Sequence, residues 1–204
     1  MRRRRPKQLE LPTWGGKRKN AGRPRRGPDT LPHVAREAFS RRTPLHVTLR
    51  MASHVYNLRS RRSGRCIQAA LRGGAEREAC RVVDISVQGN HVHLLVEADD
   101  QRALRSAITG LSIRMAHRLN RMMGRKGRVI ADRYHARRLR TPTEVRNARH
   151  YLQQNHRKHL AGVGKTLPID WIDPYTRAGG LAPLPEPRTW LLIEGWRRAR
   201  PRPS

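Results

Sequence analysis

The sequence predicts an α+β fold, a ferredoxin-like antiparallel sheet with helices on one face plus a C-terminal helix that carries a tyrosine. Two observations predict it. Residues 82–88 and 91–97 both read as strands, and Gly89-Asn90 between them is a two-residue turn signal because both residues tolerate positive φ. Around that hairpin, stretches of period two alternate with stretches of helical period in the order β, α, β-hairpin, α, β, α.

The first element, Leu45-His46-Val47-Thr48-Leu49-Arg50-Met51, alternates apolar and polar residues as a half-buried strand does. Residues 60–79 mix basic and apolar positions compatible with a helix, and Gly73-Gly74 leave its end open. In the hairpin, Gln88 faces His91, Ser86 faces His93 and Asp84 faces Leu95. The opposite face pairs Val87 with Val92, Ile85 with Leu94 and Val83 with Val96, so it is uniformly apolar and must be core. Asp99 or Asp100 can cap the helix that follows. Leu104, Ile108, Leu111, Met115, Leu119 and Met122 recur along it at helical spacing, and Gly124 suits its C-terminal end. Arg128–Ile130 and Arg133–Arg140 read as extended. Thr141-Pro142-Thr143-Glu144 is a capping box with proline at the first helical position, opening a helix that runs to about His159.

Composition limits the partner. The 204 residues hold 45 Lys+Arg against 15 Asp+Glu, a net charge of +30, which excludes most small-molecule enzymes and points to a polyanion. The charge divides as +11 over residues 1–42, +16 over 43–160 and +3 over 161–204, so it belongs to the fold as well as to a tail. Residues 1–42, rich in Pro, Gly and Arg, read as a disordered basic tail; 43–160 as the folded domain; 161–204 as a Pro-rich extension wrapping it. Gly22-Arg23-Pro24-Arg25 resembles an AT-hook, in which Arg23 and Arg25 would enter an A·T minor groove; a solvated basic arm is the reading so short a motif favours. Phe39 is the single phenylalanine, too little aromatic material for a base-stacking platform of the RRM type. No apolar run approaches the roughly 20 residues of a membrane span, the N-terminus lacks an apolar signal core, and Cys66 and Cys80 form no disulfide framework. A cytoplasmic, nucleoid-associated protein is expected.

The chemistry-bearing residues lie on two elements. His91 and His93 point the same way from one strand, a plausible pair of ligands for a divalent metal, although a bare His-x-His is more often a pair of surface histidines. In the last helix Tyr151 and Asn155 are spaced i, i+4 and share a face, which Asn147 and Lys158 extend, while Val145, Ala148 and Leu152 can pack down beside them. An amide one turn from a phenol hydroxyl could complete a His-His-Asn site with a nucleophile beside it. Tyr134 is the rival tyrosine, with Arg133 and His135 as neighbours that could touch substrate.

Two stretches carry a family resemblance. GNHVHLLVEA is similar to the His-hydrophobic-His signature of HUH nucleases, and GRVIADRYHARRLRTPTEVRNARHYLQQN resembles the later part of REP-associated tyrosine transposases, together covering about residues 43–160. The resemblance implies His91, His93 and Asn155 as ligands of Mg²⁺ or Mn²⁺ and Tyr151 as the nucleophile. It implies cleavage and rejoining of single-stranded, hairpin-containing DNA through a 5′-phosphotyrosine, and leaves a homodimer open. Many members continue Asn-Pro where this chain has Asn155-His156. A non-catalytic DNA-binding relative, and less favourably an RNA-binding module, are the competing readings.

Overall fold

The structure, a computed structural model, describes residues 38, 39 and 41–199. Arg23, Arg25 and the AT-hook-like segment lie outside the described residues.

Among the described residues, five strands and three long helices make up the fold. They are β1 (Thr43–Arg50), α1 (Arg61–Arg72), β2 (Glu76–Arg77), β3 (Cys80–Val87), β4 (His91–Ala98), α2 (Gln101–Met123), β5 (His135–Arg138) and α3 (Pro142–Ala161). A short α4 (Trp190–Ile193) and a 3₁₀ turn follow. The sheet order is β2-β3-β4-β1-β5, antiparallel throughout. The expected helix over 60–79 ends at Arg72, where Gly73 and Gly74 let the chain turn into β2. The expected strand over Arg133–Arg140 shortens to His135–Arg138, because only these residues reach the edge of β1, between Leu45 and Thr48.

Local signals set the helices. Ser60 accepts from Ser63 N at the start of α1, and Asp100 accepts from Ala103 N at the start of α2. Gly124 ends α2 at φ 64°, a left-handed conformation that glycine adopts without a Cβ penalty. The capping box at Thr141 and Glu144 forms as the sequence predicts.

The strands have two buried faces. Leu45, Val47 and Leu49 of β1, Val82, Ile85 and Val87 of β3, and Val92, Leu94 and Val96 of β4 pack against α1 and against Leu104, Ile108, Leu111 and Met115 of α2. Across the sheet, Val83 and Leu95 meet Val145, Ala148 and Leu152 of α3 and Leu192 of α4. The predicted register holds for Ser86 with His93 and Asp84 with Leu95, then fails by one residue. A bulge between Val82 and Asp84 pairs Val82, rather than Val83, with Val96. The extra residue reverses the side-chain alternation, so Val83 turns to the α3 side and joins Leu95.

The C-terminal segment packs on both sides, Leu181 and Ala182 joining the α1–α2 core and Leu192 the α3 cluster. Val87 N donates to Tyr175 O (2.9 Å) and Arg177 N to Ile85 O (3.3 Å), extending the sheet alongside β3. Gly179 is required there, since a Cβ would lie 2.0 Å from Asp173 O. At the other end of β4 the fully buried Glu97 carboxylate accepts from Arg188 N, Thr189 N and Thr189 Oγ1, fixing the entry to α4. Among the described residues no helix is long and apolar enough to cross a membrane.

Candidate active site

The polar face of the paired strands supplies the floor of the site. Alternation sends Leu45, Val47 and Leu49 into the core, leaving His46 and Thr48 to the opposite face, and the β1–β4 register sets Thr48 across from His93. The His91 and His93 rings stack at 6.2 Å between centroids with 9° between planes. α3 crosses above them and sets the Tyr151 ring edge-on to His93 at 5.1 Å and to His46 at 5.7 Å. Val145, Ala148 and Leu152 hold that crossing in place, because they are the buried stripe of the same helix.

Around this group lies a cleft of about 510 Å³ lined by His91, His93, Tyr151, Arg59, His156 and His159. Asn155 is not among its lining residues. It sits one turn beyond Tyr151, 4 % exposed, and its Nδ2 has no hydrogen-bond partner among the described residues. A buried amide left unpaired is costly unless function retains it.

Both imidazoles are held toward the neutral form. Burial, followed by the neighbouring His46, His91 and His159, pushes His93 down to about 3. Burial and then Arg50 and His159 lower His91. Asn90 Oδ1 can only accept, so the 2.6 Å contact puts the His91 proton on Nδ1 and leaves the Nε2 lone pair available. Thr48 Oγ1 lies 3.1 Å from His93 Nδ1 and orients that ring. Among the described residues no three His, Cys, Asp or Glu side chains converge closely enough for a metal, and a cation held by the histidine pair would need a third ligand of another kind. The Asn155 amide carries an oxygen of the right kind, while the atom left unpaired is Nδ2, a donor that takes no cation. Two neutral imidazoles and an amide oxygen suit a divalent cation without fixing which one.

The other sequence-expected residues lie apart. Lys158 is exposed and lines a second groove of about 630 Å³ with Tyr151, His46, Arg137, Asn147 and His150, on the β5 side of α3. Tyr151 therefore belongs to both grooves. His135 is exposed on β5 in a groove beside Phe39 and Leu45. Arg133, also exposed, lines a groove with Tyr134 and residues of α2. His135 also pairs across from Thr48, which contacts His93, and its charge, after burial, lowers His46.

Sequence reasoning misses His46, Arg59, His156 and His159. His46 could be found, since the alternation of β1 places it with Thr48 on the polar face. Arg59 could not. It acquires its place from Asp173, 114 residues away, which takes two parallel guanidinium bonds of 2.8 and 2.9 Å. A further bond to Val87 O and the Tyr175 ring 4.5 Å beneath the guanidinium hold it at the wall of the cleft. The ion pair is nearly sealed from water, with side-chain exposures of 12 % and 1 %.

Residues 44–155 match a family model described as "Transposase IS200 like". No curated protein matches the chain. Two solved structures are similar to it in outline. One is a REP-associated tyrosine transposase bound to a REP hairpin, 14% identical over 70% of this chain and 92% of that one, with TM-score 0.49. The other is a candidate transposase from Deinococcus radiodurans r1, 15% identical over 57% and 94% of the two chains, with TM-score 0.42.

Proposed function

The chain belongs to the IS200-like transposase family, and on that premise we propose that it cleaves and rejoins single-stranded DNA near hairpins with Tyr151 as nucleophile. One observation carries the reading: Tyr151 is edge-on to His93, whose ring stacks on His91, in a single cleft. A lone tyrosine, or a lone pair of surface histidines, would not need the other.

In the proposed reaction the Tyr151 hydroxyl oxygen attacks the scissile phosphorus in line and loses its proton. The bond from phosphorus to the 3′ oxygen breaks, and that oxygen leaves as a 3′-OH after taking up a proton. The product is a 5′-phosphotyrosine whose ester energy is kept for rejoining. A divalent cation, when held by His91, His93 and Asn155, would offset charge on the phosphate oxygens. The chain's own groups do the rest. Leu152 and Val145 fix the height of Tyr151 over the sheet, and Arg59, neutralised by Asp173 and bonded to Val87 O, holds the wall of the cleft in place.

The test incubates hairpin-bearing single-stranded DNA with the protein and Mg²⁺ or Mn²⁺ and follows a covalent protein–DNA adduct. Adduct formation is expected to be lost in Tyr151→Phe and reduced at least about a hundredfold in His93→Ala, the scale on which removal of a group oriented at a metal site acts. An adduct retained by Tyr151→Phe would refute the nucleophile. Salt-sensitive DNA binding, with no adduct from the intact chain under either metal, would favour the non-catalytic reading.

A further inference from the structure

Beside the cleft stands a pair of rings that the proposed reaction does not use. The residue after Asn155 is a histidine, and α3 runs on past it to Ala161. His156 lines the cleft, and its ring meets the Trp171 indole at 5.9 Å between centroids with 38° between planes. Both residues are half-buried, so each keeps part of its surface in water.

Trp171 is held there from two sides. Arg157, the neighbour of His156 on α3, donates to Leu167 O (2.9 Å), Pro168 O (2.7 Å), Ile169 O (3.4 Å) and Trp171 O (3.4 Å). The turn over 167–171 is therefore wrapped around one guanidinium. Two residues beyond Trp171, Asp173 is sealed in its pair with Arg59 of the cleft wall. A loop fixed in this way has little freedom left to lose when a ligand binds to it, and lost freedom is a large part of what binding costs.

The chemistry of the loop selects its partner. Ile169 is 97 % exposed and Ile172 is 61 % exposed, on either side of the indole in sequence. Residues 161–176 hold one cation, Lys165, against Asp170 and Asp173, in a chain of net charge +30. Apolar side chains grouped in water mark a contact surface. With one cation among them, they offer a phosphate backbone little to bind. The part of a nucleic-acid strand that suits them is the base, whose flat face stacks on an aromatic ring. Composition rules out a platform of several such rings, but a single slot needs only one indole and the imidazole beside it.

We propose that Trp171 and His156 form a stacking slot for one unpaired nucleobase of the strand that lies in the cleft. The inference rests on the strand-cleaving reading above and adds to it a contact made to a base. It is tested by equilibrium binding to the full chain in a Tyr151→Phe background without metal, so that no cleavage intervenes. The probes are an unpaired DNA strand of about twelve nucleotides, within the site sizes of single-strand binders, and a strand of the same length with every base removed. The ratio of the two affinities isolates what the bases contribute.

Trp171→Ala is expected to lower that ratio at least about fivefold, the scale on which truncating a stacking ring acts. Its affinity for the baseless strand should stay within about twofold, with the same dependence of log K on log salt, because no phosphate contact is removed. Trp171→Phe keeps a ring and should hold the ratio within about threefold of the parent's. Trp190→Ala, exposed on α4, should leave the ratio as it is. A Trp171→Ala variant that keeps the parent's ratio overturns the proposal, as does a Phe variant as weak as the Ala variant or an equal loss in Trp190→Ala. Should Trp171→Ala lose both strands equally, the indole acts through the fold alone and the slot is refuted. None of these measurements needs a metal or an adduct, so the slot and the nucleophilic role of Tyr151 stand or fall separately.

Discussion

The two faces of the sheet are built from different materials. The face toward α1 and α2 is continuous aliphatic packing, from Leu45 through Leu94 to Met115, with every one of those side chains nearly sealed from water. The face toward α3 has a smaller apolar cluster, Val83, Leu95, Val145, Ala148, Leu152 and Leu192, set among buried Asp84, Ser86, Gln88, His93 and Glu97. The first arrangement gains stability from each buried methylene. The second places polar groups where desolvation costs free energy, and such groups are retained when they are paired or do chemistry. One sheet thus carries a stability face and a reaction face.

Leu94 and Leu95 give the sharpest way to break this comparison, since they are adjacent on β4, both 0 % exposed, and point to opposite faces. Each change to Ala is expected to lower unfolding stability by about 2–5 kcal/mol in denaturant titration. At a temperature where both variants remain folded, only Leu95→Ala should also slow adduct formation, because Leu95 supports the helix that carries Tyr151. Equal activity in the two variants would erase the functional distinction between the faces.

Glu97→Gln should have a smaller effect. The carboxylate accepts three hydrogen bonds from residues 188–189, and losing its charge should cost roughly 1.5–3 kcal/mol, as for hydrogen bonds to charged groups. Hydrogen exchange is expected to speed up at α4 and remain unchanged in α2. Acceleration in both would mean that the Glu97 contacts are not confined in effect to the entry of α4.

Thr141→Ala is expected to give the smallest change, about 1 kcal/mol from loss of the bond that Glu144 N donates to Thr141 Oγ1. It should fray the first turn of α3 by circular dichroism and hydrogen exchange, ten residues ahead of Tyr151, and leave the α1–α2 face intact.

Much of the stability face is legible in the sequence and less of the reaction face. Leu104, Ile108, Leu111 and Met115 declare themselves by helical period, and Val87, Val92, Ile85 and Leu94 by strand alternation, because burial against one neighbour leaves a periodic trace. His91, His93 and Tyr151 are visible as residue types at suggestive spacings, and the family resemblance links them. Val83 falls on the wrong face when alternation alone is followed, because a bulge leaves no sign in composition. Arg59 looks like any other arginine, since its partner Asp173 is remote in sequence.

The sequence by itself determined the order of the main elements, the hairpin turn, the caps of α2 and α3, the basic charge and the residue types available for chemistry. These are local properties, written in the spacing of neighbouring residues. Only the tertiary structure decided that α3 crosses the histidine face, that the C-terminal segment closes that face through Glu97 and Asp173, and that Asn155 is buried with an unpaired amide while Tyr151 opens to the cleft. The reason is physical. Such contacts join residues far apart in the chain, and only packing selects which of many possible pairs is made.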